Sequence, residues 1–240
     1  RARRQARRGR AAVLRRGAKS IADADRLWET LAGRLGRDAS APVLSVDGEY
    51  HPLATVWDYF RTHMRILDDL ERYLARFVLL WGDGFQRGTK NAASSQIAKT
   101  GLVRDSYVPH SCTIQGAVVH TVLFPHVRVA RKARVENSVI LGQNHLAEGS
   151  TVQNAVLCGS PSKVSPTVGE GAVIGGVEQS GENEDHPEAL HGGITLIGGN
   201  VEVPRSCRIA GNCYIGPGVE RSLLRSRRLV RSGSSIEEGA

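Results

Sequence analysis

Val118-Val119-His120-Thr121-Val122-Leu123, Val135-Glu136-Asn137-Ser138-Val139-Ile140 and Val152-Gln153-Asn154-Ala155-Val156-Leu157 are one pattern written three times, 17 residues apart. Four residues after each opening valine stands a second valine, with Leu123, Ile140 or Leu157 beside it. Val129 and Leu146 answer each other eleven residues into the frame. A fixed period of this kind is an internal repeat. It returns from Val219 to Ile236, which places Leu223-Leu224 where Val139-Ile140 stood. Between the two runs lies a shorter repeat: Ile197, Val203, Ile209 and Ile215 are six apart, and Val201, Cys207, Cys213 and Val219 follow each by four.

A period of six has a physical reading. Three short strands make one triangular coil, with the aliphatic of each pointing inward and a smaller side chain near the crowded corner. Gly, Asn and Pro turn the corners, as in Gly198-Gly199-Asn200, Gly211-Asn212 and Gly216-Pro217-Gly218. Coils stack at a strand spacing of about 4.8 Å and bury a continuous apolar axis. Three hexapeptides make 18 residues, so a 17-residue frame is one coil shortened by one. The pattern predicts a mainly β chain: a left-handed parallel β-helix over residues 101–240, preceded by a small helical and αβ segment. A β-sandwich of short strands would have no reason to repeat at a fixed period. The β-helix requires Val118, Val135, Val152, Ile197, Val203, Ile209 and Ile215 all to be buried.

The composition agrees with a solenoid filled by aliphatics: among 240 residues aromatics are 5% while Gly reaches 27. The net charge of +8 is concentrated at one end. Arg1, Arg3, Arg4, Arg7, Arg8, Arg10, Arg15, Arg16 and Lys19 stand without an acid among them, so residues 1–19 read as a basic, disordered arm and the rest is close to neutral. No aromatics are interleaved for base stacking, which argues against nucleic acid as the partner. No apolar run approaches the ~20 residues of a membrane span, and there is no signal-peptide core. The chain begins with Arg1 and its sole methionine is Met64, so it reads as a piece of a longer protein. Cys112, Cys158, Cys207 and Cys213 form no CxxC pair, which argues against zinc. Reduced thiols in a cytoplasm are the simplest account.

Taken in order, Ser20-Ile21-Ala22-Asp23 opens a helix carrying Leu27, Trp28, Leu31 and Leu35, closed by Gly36. Pro42 to Val46 reads as a short strand. Thr55-Val56-Trp57-Asp58 is a second capping box, followed by the stripe Phe60, Met64, Leu67, Leu70, Leu74 and Phe77, which predicts a helix to Leu80. A polar linker leads to the solenoid. Residues 175–193 carry Glu178, Glu182, Glu184, Asp185 and Glu188 among glycines with no strand pattern, and read as an acidic surface loop.

The run from Ser106 to Leu157, the re-entry Gly193-Ile194-Thr195-Leu196-Ile197-Gly198 after an acidic loop, Val203-Pro204 and Ile209 to Ile215 resemble the C-terminal domain of glucose-1-phosphate adenylyltransferase (ADP-glucose pyrophosphorylase). Residues 20–53 resemble the end of that family's nucleotidyltransferase domain, and residues 54–100 its connecting helix and linker. The family's Gly-Tyr-Trp-x-Asp-Val-Gly-Thr motif is eroded here to Gly48-Glu49-Tyr50-His51-Pro52-Leu53-Ala54-Thr55. Its aspartate, which helps hold catalytic Mg²⁺ in the family, falls on Pro52, and proline has no carboxylate. The family's Gly-rich nucleotide loop and second metal aspartate lie in a domain this chain does not include.

Phosphoryl chemistry needs a metal clamp and a phosphate cradle. The resemblance therefore implies a regulatory and oligomerisation domain of an adenylyltransferase-like protein in glycogen (α-glucan) synthesis. No catalysis, cofactor or metal is expected in this chain alone. It also implies homo- or hetero-oligomers built through the β-helix and an anionic sugar-phosphate effector. Arg128, Arg131, Lys132 and Arg134 are candidates for such an effector, as are Arg225, Arg227 and Arg228; each cluster also reads as a solvated face. Two other classes compete. A hexapeptide acyltransferase would need a general-base histidine beside an acyl-CoA cleft, but His110, His120, His126 and His145 occupy different frame positions. That spacing gives no support to a three-histidine zinc site either. A ligand-free assembly module is the third reading.

Overall fold

The computed structural model describes residues 53–69, 71–73, 94–159, 167–176 and 181–237. All belong to the compact unit Tyr50–Ala240. The basic arm, the helix opened at Ser20, the strand from Pro42 to Val46, Pro52 and the expected helical stretch from Leu74 to Leu80 lie outside the described residues.

The strands stack in three columns, and every strand pair in a ladder is parallel. The first face holds β1 (Gln96–Ile97), β3 (Thr113–Ile114), β5 (Arg128–Val129) and β7 (His145–Leu146). Single bridges continue it from Leu146 to Val168 and from Val168 to Val203. The second face holds β2 (Leu102–Arg104), the first halves of β4 (Ala117–Leu123) and β6 (Arg134–Ile140), then β8 (Thr151–Gln153), β10 (Val173–Ile174), β12 (Arg208–Ile209) and β14 (Leu229–Val230). The third face starts at a bridge between Tyr107 and Val122. It continues through the second halves of β4 and β6 to β9 (Ala155–Leu157), β11 (Thr195–Ile197), β13 (Tyr214–Ile215) and β15 (Ser235–Ile236). This is the parallel β-helix that the repeat predicts. Val118, Val135 and Val152 pair in one column, as do Val122, Val139 and Val156.

The corners explain the asparagines and the glycines. Between the second and third faces the chain turns through residues at positive φ: Asp105 (48°), His120 (46°), Asn137 (45°), Asn154 (47°) and Asn212 (56°). Lys132, Gly149, Gly171 and Ser206 do the same between the first and second faces. Left-handed backbone is costly for most L-residues and least so for Gly and Asn, so the corner composition follows from the triangular path.

Inside, each coil contributes one aliphatic per face. Ile114, Val129 and Leu146, Val118, Val135 and Val152, and Leu123, Ile140 and Leu157 are each at most 1% exposed. Val203, Ile209, Ile215 and Ile197 are buried as well. A fully buried aliphatic contributes about 1.5–3 kcal/mol relative to exposure, and their stacking makes the axis the main source of stability. Cys112, Cys207 and Cys213 fill small inward positions as compact hydrophobes. Burial pushes the Cys213 thiol up to about 11.

Two expectations are corrected. Leu223-Leu224 do not stand on a strand but in helix α2 (Arg221–Arg227), the helix that follows α1 (Val56–Asp68) among the described residues. Tyr214 pairs with Ser235, 21 residues on, against 18 from Leu196 to Tyr214, and the surplus of this coil over the one before it folds into α2. Leu224 is fully buried there, its carbonyl facing the Cys207 thiol at 3.9 Å. The acidic stretch is also more than a surface loop. Leu190 and Asn183 are buried, and Glu182 bridges His191 in antiparallel fashion.

Candidate functional site

The feature that sets this solenoid apart is its third face. In a solenoid wall a strand with water outside alternates apolar and polar residues. Here the strands carry apolar doublets: Val122-Leu123, Val139-Ile140, Val156-Leu157 and Leu196-Ile197. The second member of each points into the axis. The first points outward, yet Val139 and Val156 are 0% and 3% exposed. Two elements cover them.

One is α1 (Val56–Asp68). Its capping box forms as the sequence predicts: the Asp58 N–H donates to Thr55 Oγ1 at 3.0 Å, and the Thr55 N–H donates to Asp58 Oδ2 at 3.2 Å. The helix buries Phe60, Met64 and Leu67, and Phe60 and Met64 pack with Val139 and Val156. The other element is the excursion, through Leu190 and Ile194. The two also hold each other. The Trp57 N–H donates to the Ala189 carbonyl at 3.3 Å, and the Trp57 ring lies 5.1 Å from His191. A Cβ on Gly192 would come within 2.6 Å of the Trp57 ring, so only glycine fits beneath it.

Buried amides tie the excursion to the later coils. Asn212 Nδ2 donates to the Gly181 carbonyl at 2.9 Å, and Asn212 Oδ1 accepts the Gly193 N–H at 2.7 Å. Asn183 Nδ2 donates to the Asn212 carbonyl at 3.0 Å. Asn183 Oδ1 accepts from the N–H groups of Asp185 and His186 and from the Ser235 hydroxyl. Asn183 and Asn212 are 1% and 0% exposed, and their polar groups find partners in each other's loops.

At the far end of α1, His120 Nε2 lies 2.8 Å from Asp68 Oδ1, and its Nδ1 lies 3.1 Å from Asn137 Oδ1. Asn137 Nδ2 in turn donates to Asn154 Oδ1. His120, Asn137 and Asn154 form a ladder down one corner with the helix tied to its top. The site is thus a joint: a helix entering from upstream is fixed at both ends and along its apolar stripe to the solenoid wall.

The candidate effector residues fall in two places. Arg128 lies on the first face beside His145, Lys132 at the corner, and Arg134 at the start of β6 on the second face. Lys132 is paired with Glu148 at 3.0 Å, and Arg134 makes two bonds to Glu136 at 3.0 and 3.2 Å. Hydrogen bonds from Arg134 and Gln153 hold the Glu136 carboxyl below its usual range. Arg131 is exposed at the same corner. Arg225 and Arg227 lie on α2 and Arg228 closes it, with Arg225 lining an open depression alongside Arg221, Ser222 and Ser226. Four strand spacings, about 19 Å, separate the rungs of the two clusters. The structure does not bring them together.

The histidines do not converge on one point. His120 is engaged by the helix, and His110 and His126 meet edge to face with centroids 6.3 Å apart. His145 lies on the first face, its pKa lowered by burial and by the Arg128 charge. Among the described residues no three His, Cys, Asp or Glu side chains gather as a metal ion requires. No described helix is long and apolar enough to cross a membrane.

Comparison with known proteins bears on the same residues. A family model described as GlmU-like, C-terminal hexapeptide, matches residues 90–197. A glucose-1-phosphate adenylyltransferase from Acetivibrio thermocellus is 25% identical over 195 residues, or 80% of this chain. The chain is similar to a glucose-1-phosphate adenylyltransferase. It spans 43% of that relative's length. The resemblance read from the coil sequences therefore extends beyond the hexapeptides that many β-helix proteins share.

The joint itself was missed in the sequence. Two signals pointed to it. The apolar doublets require cover on both sides of the strand. His120, Asn137 and Asn154 share one position of the 17-residue frame.

Proposed function

We propose that this chain is the regulatory and assembly part of a cytoplasmic glucose-1-phosphate adenylyltransferase-like protein of α-glucan synthesis, without catalysis of its own. The observation that carries the proposal is the joint. The segment that resembles the exit from a nucleotidyltransferase domain becomes a helix clamped lengthwise on the solenoid by Phe60, Met64 and Trp57. The helix α1 is thereby held in a defined relation to the coils, which suits a regulatory role in which ligand or subunit binding on the coils is passed to this helix. Proline at position 52 supplies no carboxylate for Mg²⁺, so no nucleotidyl transfer is assigned to it.

The test has two arms. The purified chain, given ATP, Mg²⁺ and glucose 1-phosphate, is expected to form no ADP-glucose. Added to an active adenylyltransferase subunit from the same source, it is expected to bind and to change the response of that subunit to sugar phosphates. Turnover by the chain alone refutes the non-catalytic reading. Absence of both self-association and binding refutes the assembly reading. The acyltransferase reading is weakened by His120, whose two ring nitrogens face Asp68 and Asn137.

A further inference from the structure

His120 stands at a corner of β4 with an oxygen facing each of its ring nitrogens. Nε2 lies 2.8 Å from Asp68 Oδ1 at the end of α1, and Nδ1 lies 3.1 Å from Asn137 Oδ1 on the next coil. A neutral imidazole carries one N–H and can donate to one of these acceptors; the imidazolium donates to both. The Asn137 amide cannot adjust alone. Its Nδ2 donates to Asn154 Oδ1, so turning it sets oxygen against oxygen unless Asn154 turns as well.

Charged groups reach this corner from every element packed on it. On α1 the C-cap Asp69 is engaged by Arg72 at 3.5 Å, and Arg65 is exposed in the last turn. On the preceding coil Asp105 holds the same corner position, since it follows Arg104 as His120 follows Val119, and it pairs with Arg104 at 3.6 Å. On the following coil Glu136 is held by Arg134 at 3.0 Å. Asp69, Asp105 and Glu136 each have an arginine; the partner of Asp68 is His120. A carboxylate at a helix C-terminus meets the negative end of the helix dipole, so a cation is favoured there.

We propose that His120 is a proton-operated latch between α1 and the coils, with the proton as its ligand. Protonated, the ring ties Asp68 to Asn137. When a proton leaves, the remaining N–H stays on Nε2 toward Asp68, the charged acceptor and so the stronger one. The bare Nδ1 then faces Asn137 Oδ1, and the Asn137 and Asn154 amides turn together to present Nδ2 to it. The Asp68 contact falls from an ion pair to a hydrogen bond from a neutral donor, and the end of α1 is held less firmly. Histidine changes charge between about pH 5 and 8, so the latch is closed on the acid side and loosens as pH rises. The Asp68 side chain is 65% exposed, so water screens the pair and the effect is a few-fold change in opening of the helix end. The latch stands on the geometry of the joint and is independent of the function proposed above.

The experiment follows the full 240-residue chain by NMR from about pH 5 to pH 8. Ring-nitrogen signals separate His120 from the other histidines of the joint: His63, whose Nδ1 faces the Tyr59 carbonyl, and His191, beside Trp57. Both His120 nitrogens should carry protons on the acid side. As pH rises the proton should leave Nδ1, and the side-chain amide signals of Asn137 and Asn154 should move with the same midpoint. Hydrogen-exchange protection at residues 65–68, corrected for the intrinsic effect of pH, should fall roughly two- to five-fold over that range. His120→Asn gives this corner, at φ 46°, the residue found at φ 45° and 47° on the next two coils, and removes the proton site. Asp68→Asn removes the charge and keeps the shape. Each variant should abolish most of the fall. A fall that persists in both, or no fall in the unmodified chain, overturns the latch. So does a His120 ring that loses its proton from Nε2, or loses it from Nδ1 while the Asn137 and Asn154 signals stay still; these ring and amide signals come from the unmodified chain and decide the matter even where a variant is destabilised.

Discussion

Replacing Asn212 probes the link between excursion and coils, and its cost is set by three separable terms. Asn212→Gly removes the Nδ2 bond to the Gly181 carbonyl and the Oδ1 acceptor of the Gly193 N–H. Gly181 is exposed, so its carbonyl regains water at a net loss of about 0.5–1 kcal/mol. Gly193 is buried, so its N–H is left unsatisfied at about 1–3 kcal/mol. The glycine variant should therefore lose about 1.5–4 kcal/mol. Asn212→Ala loses the same bonds and must also hold φ at 56° with a Cβ, adding about 1 kcal/mol. Asn212→Asp keeps the acceptor but turns a carboxylate toward the Gly181 carbonyl. Burial raises such a carboxyl above its unfolded value, so the penalty is present at neutral pH and eases as acid protonates it, when its O–H can donate to Gly181. Urea denaturation gives the three losses, and hydrogen exchange at Gly193 and Ile194 locates them. Glycine and alanine variants within about 0.5 kcal/mol of the unmodified chain, or an aspartate variant that does not improve with acid, would refute the reasoning.

Other outcomes follow from the joint and the axis. Phe60→Ala should free α1, raising exchange at residues 59–67 while β6 and β9 remain protected, because the helix docks outside the coil; equal loss of protection in both would make helix and coils one unit. Ile140→Ala opens a cavity in the axis itself and should cost about 2–5 kcal/mol with an early global melt, whereas a local effect would contradict an axis shared by all coils. His145 is held low by burial first and by Arg128 second, so its neutral form is favoured on folding. Its contribution is full above about pH 6.5 and lost as pH falls through the folded value, and Arg128→Gln should make that acid-side loss shallower in pH-dependent melts. Deleting residues 1–10 should leave the thermal midpoint nearly unchanged, and a large drop would show that the arginines dock.

The coils could be read without coordinates because their physics is local and repeated. Each inward position of the 17-residue frame meets the same neighbours one coil above and below, so Val118, Val135 and Val152 carry their environment in their spacing. The capping box at Thr55 was legible for the same reason, since its partners lie three residues apart. Where a local rule met a longer segment it failed: Leu223 and Leu224 keep the period but sit in a helix, because the extra residues of that coil had to be housed.

The site was less legible because it joins segments distant in sequence. Asp68 meets His120 across 52 residues, and Asn183 reaches Ser235 across another 52. The repeat determined that a triangular solenoid forms, which residues fill its axis and where left-handed corners fall, because those are constraints between neighbours at fixed offsets. Only the tertiary structure decided that the outward valines of the third face are roofed by α1 and by the acidic excursion. Burial of an outward side chain depends on which separate element docks there, and the spacing of the strand's own residues does not encode that choice.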